Sequence, residues 1–304
     1  MKKNSSILLR ITRPQSVEYL QLSRKPVPQP FSFKFPLFLF VTCLLSCKAA
    51  QVYNDPDKPI YYSNEKSSQA TEGADSLNVV TFNIKKSEKT DLATIELQDF
   101  EKTSKVDVYL LQEMDEKSVQ SIARKLNLNY LYFPIAFNKK DIGNAILTSG
   151  TIEHPEKLIL PHSKRLSKRL RCVTIGKVTI HQKNILVYSV HTETVMMTRK
   201  NRMDQVDAII EHANTQSPNY KYVLIGGDFN TLFTKDGELA VEKFNTGGFD
   251  WSTAKVGSTA RAFSGLIKPR HDYVFSKGLQ VTNAYKIATS RSSDHYPVFA
   301  TFRY

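Results

Sequence analysis

The run Tyr222-Val-Leu-Ile-Gly-Gly-Asp-Phe-Asn-Thr231 is the most informative stretch of this 304-residue chain. Four apolar residues, Tyr222 to Ile225, read as a buried strand, and Gly226-Gly227 breaks it and lets the backbone turn tightly. Asp228 and Asn230 then stand just beyond the strand, a carboxylate beside a carboxamide. An acceptor-only group next to a neutral donor suits a hydrated metal and a phosphate oxygen. The plainer reading is an Asx-turn, in which these side chains cap their own backbone.

Other strands end in the same way. Leu77-Asn-Val-Val-Thr-Phe-Asn-Ile84 carries Asn83 at its carboxyl end, Val106 to Glu113 ends on Glu113, and Ile185 to His191 ends on His191. Arg270-His-Asp-Tyr-Val-Phe275 places Asp272 at a strand start, and Ser293-Asp-His-Tyr-Pro-Val-Phe299 carries Asp294 and His295. Each apolar strand presents a metal-ligand or acid–base residue at its mouth. Turn chemistry alone does not account for so many.

At these residues the chain resembles the endonuclease/exonuclease/phosphatase superfamily, the deoxyribonuclease I-like proteins. The matching motifs are Thr81-Phe-Asn83, Gln112-Glu113, Gly143-Asn-Ala-Ile-Leu147, Ser189-Val-His191, Gly227-Asp-Phe-Asn230, Asp272-Tyr-Val-Phe275 and Ser293-Asp-His295, in family order over about residues 77 to 304. The resemblance implies an α/β fold, a four-layer sandwich with two mixed β-sheets face to face and the catalytic residues along one edge. It also implies Mg²⁺, with Mn²⁺ as the substitute, held by Asn83 and Glu113, with Asp294 joining the metal or its hydrogen-bond network. His295 oriented by Asp272 would be the base. His191 would protonate the leaving oxygen or stabilise the phosphate, and Asp228 and Asn230 would position water and phosphate. The other assignment makes Asp228 the water activator and His295 an electrophile on the phosphate.

Segments of strand type alternate with helical ones, which favours one large α/β body over residues 76–304. Helices are expected near 89–101, 117–126 and 199–213, and further strands near 142–148, 171–180, 279–286 and 297–302. Residues 35–46 form an apolar stretch after Arg24, Lys25 and Lys34, too short to span a bilayer and of signal-peptide type. With Leu44-Leu-Ser-Cys47 behind it, residues 1–47 resemble a bacterial lipoprotein signal whose Cys47 is acylated, so an exported, membrane-anchored protein is expected, a secreted one being the alternative. Only Cys172 then remains, so no internal disulfide is expected. Residues 48–75, rich in Ser, Asn, Asp and Lys, read as a flexible tether. Past residue 47 there remain 35 Lys/Arg against 28 Asp/Glu, a balance that suits an anionic substrate. No protein partner is implied, and a monomer is expected.

Two chemistries are excluded. Ser293-Asp294-His295 cannot be a serine-hydrolase relay, because neighbours on a strand point to opposite faces and no Gly-x-Ser-x-Gly elbow exists. No His-Glu-x-x-His or paired Cys-x-x-Cys provides for zinc. His181, His212 and His271 read as surface or structural. Thr231-Leu-Phe-Thr and Tyr273 stand where the inositol phosphatase branch has arginines, which removes that branch. The basic run Lys164 to Arg171 favours a nuclease that grips phosphates, while Ser-Asp-His-Tyr-Pro-Val at 293–298 favours a sphingomyelinase-like enzyme. Phe249, Trp251 and Phe263 would be that enzyme's small lipid-facing surface. A non-catalytic binding module is the third possibility.

Overall fold

Alternation along the strands divides their apolar residues between two faces, and that division generates the layers. In the computed structural model, which describes residues 51–53, 55–66, 74–138, 140–163, 170–194 and 197–304, two short strands come first, β1 (Gln51–Val52) and β2 (Tyr61–Ser63). They are followed by β3 (Ser76–Asn83), α1 (Thr90–Glu101), β4 (Val108–Met114), α2 (Glu116–Leu126), β5 (Asn129–Asn138), β6 (Lys140–Thr148) and β7 (Thr151–Ile159). The second half holds β8 (Cys172–Ile180), β9 (Lys183–His191), α3 (Arg199–Gln216), β10 (Tyr222–Asp228) and α4 (Thr234–Thr246). It closes with β11 (Asp250–Trp251), β12 (Asp272–Lys277), β13 (Gln280–Lys286) and β14 (Val298–Arg303). Cys47, the signal segment and residues 164–169 lie outside the described residues, so the expectations placed there have no structural counterpart.

One sheet runs β1-β5-β6-β4-β3-β14-β13, with β2 beside β5; the other runs β11-β12-β10-β9-β8-β7. The β3–β4 and β9–β10 pairs are parallel and the rest antiparallel, so both sheets are mixed. In β3, Leu77 and Val79 enter the core between the sheets, whereas Val80 and Phe82 pack toward α1 and α2. In β10, Tyr222 and Leu224 enter the same central core, whereas Val223 and Ile225 pack with Val206 and Ile209 of α3 and Phe244 of α4. Helices, sheet, sheet and helices therefore form the four layers expected. Asn144, from the Gly143-to-Leu147 motif, ties the sheets together: its Nδ2 donates to Cys172 O at 2.7 Å and its carbonyl accepts from Thr174 Oγ1 at 2.8 Å.

Several local expectations are corrected. The strand begun at Tyr222 does not stop at the glycines; both are paired within β10, which runs to Asp228. Gly227 is required by a close neighbour, since a Cβ there would lie 2.0 Å from Val190 O. The stretch read as a tether contributes β1 and β2, which pair with β5. Strand β5 escapes pattern reading because it carries Pro134, accommodated where the register shifts between Pro134 and Ala136. Strand β7 is a polar edge strand whose register shifts between Glu153 and Glu156. In α1 the buried face is Ala93, Thr94 and Leu97, while Leu92 and Ile95 are exposed.

Candidate active site

The sheet geometry explains why residues far apart in sequence meet. Asn83, His191 and Asp228 close β3, β9 and β10, all on the face that lines the inter-sheet core, and Asp272 opens β12 on that same face. Register aligns them: Asp228 lies opposite His191 across the parallel pair and opposite Asp272 across the antiparallel pair. The four side chains are almost completely buried. Below them, Gln112 bridges the sheets, its Nε2 donating to Thr81 Oγ1 at 3.3 Å and Ser189 Oγ at 3.2 Å.

Strict alternation would send Glu113 away from this edge, because Tyr109 and Leu111 of the same strand face the helices. The pairing of β4 with β6 slips between Leu111 and Met114, and Glu113 takes a left-handed φ of 57°. That bulge brings Oε1 within 3.8 Å of His191 Nε2. A non-glycine residue held in this region beside a cluster of polar groups is a strain typical of functional sites.

Asp228 is the hub. Its Oδ2 accepts from Asn83 Nδ2 at 2.9 Å and faces His191 Nε2 at 3.6 Å and His295 Nε2 at 3.8 Å. Its Oδ1 accepts from the Asn230 N–H at 2.8 Å, so the Asx-turn and the functional reading both hold. Burial alone would raise the Asp228 pKa, but the imidazoles of His295, His191 and His271 and the Asn230 amide pull it down to about 2. Asn230, itself at φ 49°, donates from Nδ2 to Thr192 O at 2.9 Å.

His295 donates from Nδ1 to Asp272 Oδ2 at 2.9 Å, the pairing expected from the sequence. Burial alone would lower the pKa of this ring; Asp272, Asp228 and Asp294 overcome that and push it up to about 10. Asp272 is anchored by Thr259, whose Oγ1 accepts from its N–H at 3.0 Å. Asp228, Asp272 and His295 offer donor atoms within 4.8 Å of one another, a spacing compatible with a cation. With Nδ1 committed to Asp272 and the ring charged, the imidazolium itself compensates these carboxylates. The open valence is instead at Glu113: its side chain is 19 % exposed, and among the described residues no hydrogen-bond donor meets its carboxylate. That is the donor a hard divalent cation requires, with the Asn83 carboxamide beside it. Asp294 stands apart on the rim, 45 % exposed and 3.7 Å from Lys85 Nζ, which places it outside the cluster around Asp228.

Sequence reasoning missed four contributors. Arg171, at the end of the basic run, is not a free phosphate clamp: it is buried behind His191, its Nη1 bonded to His191 Nδ1 at 3.1 Å and its Nη2 to Glu193 Oε1 at 3.2 Å. A guanidinium only donates, so His191 Nδ1 is the acceptor and the ring proton sits on Nε2, facing Asp228 and Glu113. His271, read as surface or structural, is buried with its ring 5.6 Å from that of His295, and burial lowers its pKa. Glu193 and Gln205 are buried without any pattern that marks them. A cavity of about 820 Å³ lies beside α4 among Thr231, Trp251, Arg270 and Tyr273, and none of the catalytic candidates lines it. Phe249, expected at a lipid-facing surface, is in the core, whereas Phe263 is exposed.

A humanized TDP2 from D. rerio superposes with a TM-score of 0.61 at 17 % identity, over 76 % of this chain and 100 % of that one. An endonuclease/exonuclease/phosphatase protein from Beutenbergia cavernae gives 0.61 at 16 % identity, over 76 % and 72 %. A Leptotrichia buccalis protein of the same family gives 0.58 at 19 % identity, over 75 % and 100 %. At these identities the likeness establishes the fold. No curated protein matches the sequence. The family model described as Endonuclease/Exonuclease/phosphatase family matches residues 80–295, which takes in every catalytic candidate from Asn83 to His295, and the chain belongs to that family.

Proposed function

We propose that the chain is a divalent-metal-dependent phosphodiesterase that cuts nucleic acid. The carrying observation is a run of contacts from Glu113 through His191 and Asp228 to His295, with successive atoms 3.6–3.8 Å apart. Family members are generally hydrolases of phosphate esters. A D. rerio TDP2 was solved with a single strand DNA product, which supports nucleic acid as the substrate class.

Glu113 and Asn83 would hold the Mg²⁺, or Mn²⁺, whose chemistry there is charge neutralisation on a phosphate oxygen. His191, with its proton on Nε2, donates to the phosphate. The Asp228 carboxylate, ionised at neutral pH, orients water and takes its proton as the water oxygen bonds to phosphorus. The charged His295 passes its Nε2 proton to the departing oxygen as the ester bond breaks, and Asp272 stabilises its charge throughout. Asp228 as water activator is taken from the second of the two role assignments open from sequence, whereas the transfer of the leaving-group proton from His295 belongs to neither.

The experiment is hydrolysis of bis-p-nitrophenyl phosphate by wild type, His295→Ala and Glu113→Gln. Loss of at least a hundredfold in each variant is expected, and retained activity in either overturns the mechanism. A phospholipid substrate is the second reading, favoured by the exposed loop residues Phe263, Leu266 and Ile267. Release of phosphocholine from sphingomyelin vesicles without DNA or RNA cleavage would establish it. Export and acylation at Cys47 belong to the same proposal, and an amino terminus other than acylated Cys47 in the mass of the mature protein would remove them.

A further inference from the structure

Next to the catalytic edge is a cleft of about 270 Å³ whose charged lining is Lys85, Lys89, Arg261 and Arg291 against Glu88 and Asp294. Four cations face two acids, so the cleft carries a net charge of +2. It abuts the site directly: Asp294 precedes His295, and the lining residue Ser293 donates from Oγ to Asn83 O at 2.7 Å.

The cleft is held in shape by groups with no other evident task. Glu96 accepts from the Arg291 N–H at 2.7 Å, from Ser290 Oγ at 2.8 Å and from Ser292 Oγ at 2.6 Å, which fixes the turn carrying Arg291. Arg261 bonds to the carbonyls of Ser290 and Ser293 and stacks 4.5 Å from the Tyr296 ring centroid. On the opposite wall, Lys85, Lys86 and Ser87 have consecutive φ values of 41°, 53° and 54°. Three adjacent non-glycine residues in the left-handed region are strained, and such strain concentrates at ligand clamps. The turn is secured by the Lys85 N–H on Asn83 Oδ1 at 2.9 Å and the Asp115 N–H on Ser87 Oγ at 3.1 Å. Among the described residues, the side chains of Lys89 and Arg291 have no hydrogen-bond or ion-pair partner.

We propose that this cleft binds the phosphate next to the one being cut on a nucleic-acid strand, so that the enzyme acts on chains rather than on isolated phosphodiesters. The inference rests on the phosphodiesterase reading above and names its substrate more narrowly. Free cations one step from the reacting phosphate hold a strand in register without reading its bases. A choline head group brings a quaternary cation, which the four cations repel, and no aromatic side chain lines the cleft to receive it.

The test compares TpT with TpTpT, which differ in having one or two phosphates, using the full chain with Mg²⁺. Wild type is expected to cleave TpTpT with a kcat/KM at least tenfold above that for TpT. In the Lys89→Ala/Arg291→Ala double variant this ratio falls below threefold. A TpTpT with a neutral methylphosphonate in place of the phosphate that is not cut loses the preference with the unaltered enzyme, a control independent of folding. A wild-type ratio near one, or a double variant that keeps the preference, overturns the cleft while leaving the phosphodiesterase reading intact. Failure to cleave TpT, TpTpT and bis-p-nitrophenyl phosphate overturns both. Cleavage of sphingomyelin vesicles in preference to TpTpT overturns the cleft in favour of a lipid substrate.

Discussion

Gly227→Ala tests how the parallel pair β9–β10 delivers His191 and Asp228 to one place. Gly227 has a φ of 150°, and a Cβ built on it lies 2.0 Å from Val190 O, 2.7 Å from Val190 C and 2.8 Å from Val190 N. A carbon–oxygen contact needs about 3.3 Å, so the two strands would have to part by roughly 1.3 Å. All three obstructing atoms are backbone, and none can rotate away. Overpacking of about 1–3 kcal/mol and backbone strain of about 1–3 kcal/mol combine to a destabilisation of about 4 kcal/mol. That is a large fraction of the roughly 5–15 kcal/mol that stabilises a typical domain. Gly226→Ala is the internal control. Its nearest obstacle is Leu110 Cδ1 at 2.7 Å, the end of a side chain that can repack, so a loss of about 1 kcal/mol is expected. Urea unfolding of both variants, followed by far-ultraviolet circular dichroism with a shared m-value, measures the difference. The pairs Gly227–Val190 and Asp228–His191 are adjacent, so activity in Gly227→Ala should fall further than its folded fraction. A Gly227→Ala protein no less stable than Gly226→Ala would refute the reasoning.

Other outcomes follow from the site. Arg171→Met combined with Glu193→Gln, which removes the carboxylate charge facing Arg171 together with the guanidinium, should lower kcat about tenfold or more, with imidazole ¹⁵N shifts showing His191 released from the Nε2–H form. Unchanged shifts would exclude the tautomer assignment. Asp228 is depressed from 3.8 to about 2, so its contribution, on the order of 2 kcal/mol, is present above pH 3.8 and lost as pH falls through 2; Asp228→Asn should remove this acid limb from a denaturation–pH profile. His295 is raised from 6.5 to about 10, so its contribution is complete below pH 6.5 and lost as pH rises through 10; Asp272→Asn should move that alkaline limb to lower pH. Mg²⁺ at about a hundred times its dissociation constant should stabilise wild type by about 2.7 kcal/mol in thermal denaturation, and Glu113→Gln should lose most of that shift.

Much of the site is legible in the chain because strand ends are local features. An apolar run closed by Asn83, His191 or Asp228 shows both the strand and the residue at its mouth, and period-two alternation places all three on one face. Strands β5 and β7 were not legible, since Pro134 and the polar Glu153-to-Lys157 segment erase the pattern that a central strand would show. Within the stretch read as a tether, β1 and β2 are only two and three residues long, and their strand character comes from the edge of β5.

By itself the sequence determined the residue types, their order and the faces of their strands, because these depend on backbone geometry repeated every two residues. Tertiary structure decided which of them meet. Glu113 reaches the cleft only through a bulge set by pairing with β6, against the alternation of its own strand. Arg171 looks like a surface cation in sequence and is a buried partner of His191 in the fold, because a guanidinium's role depends on which acceptors surround it. Asp294, adjacent to His295 and equally eligible by sequence, is turned to the rim and Lys85, since the chain bends through residues 292–294 before His295.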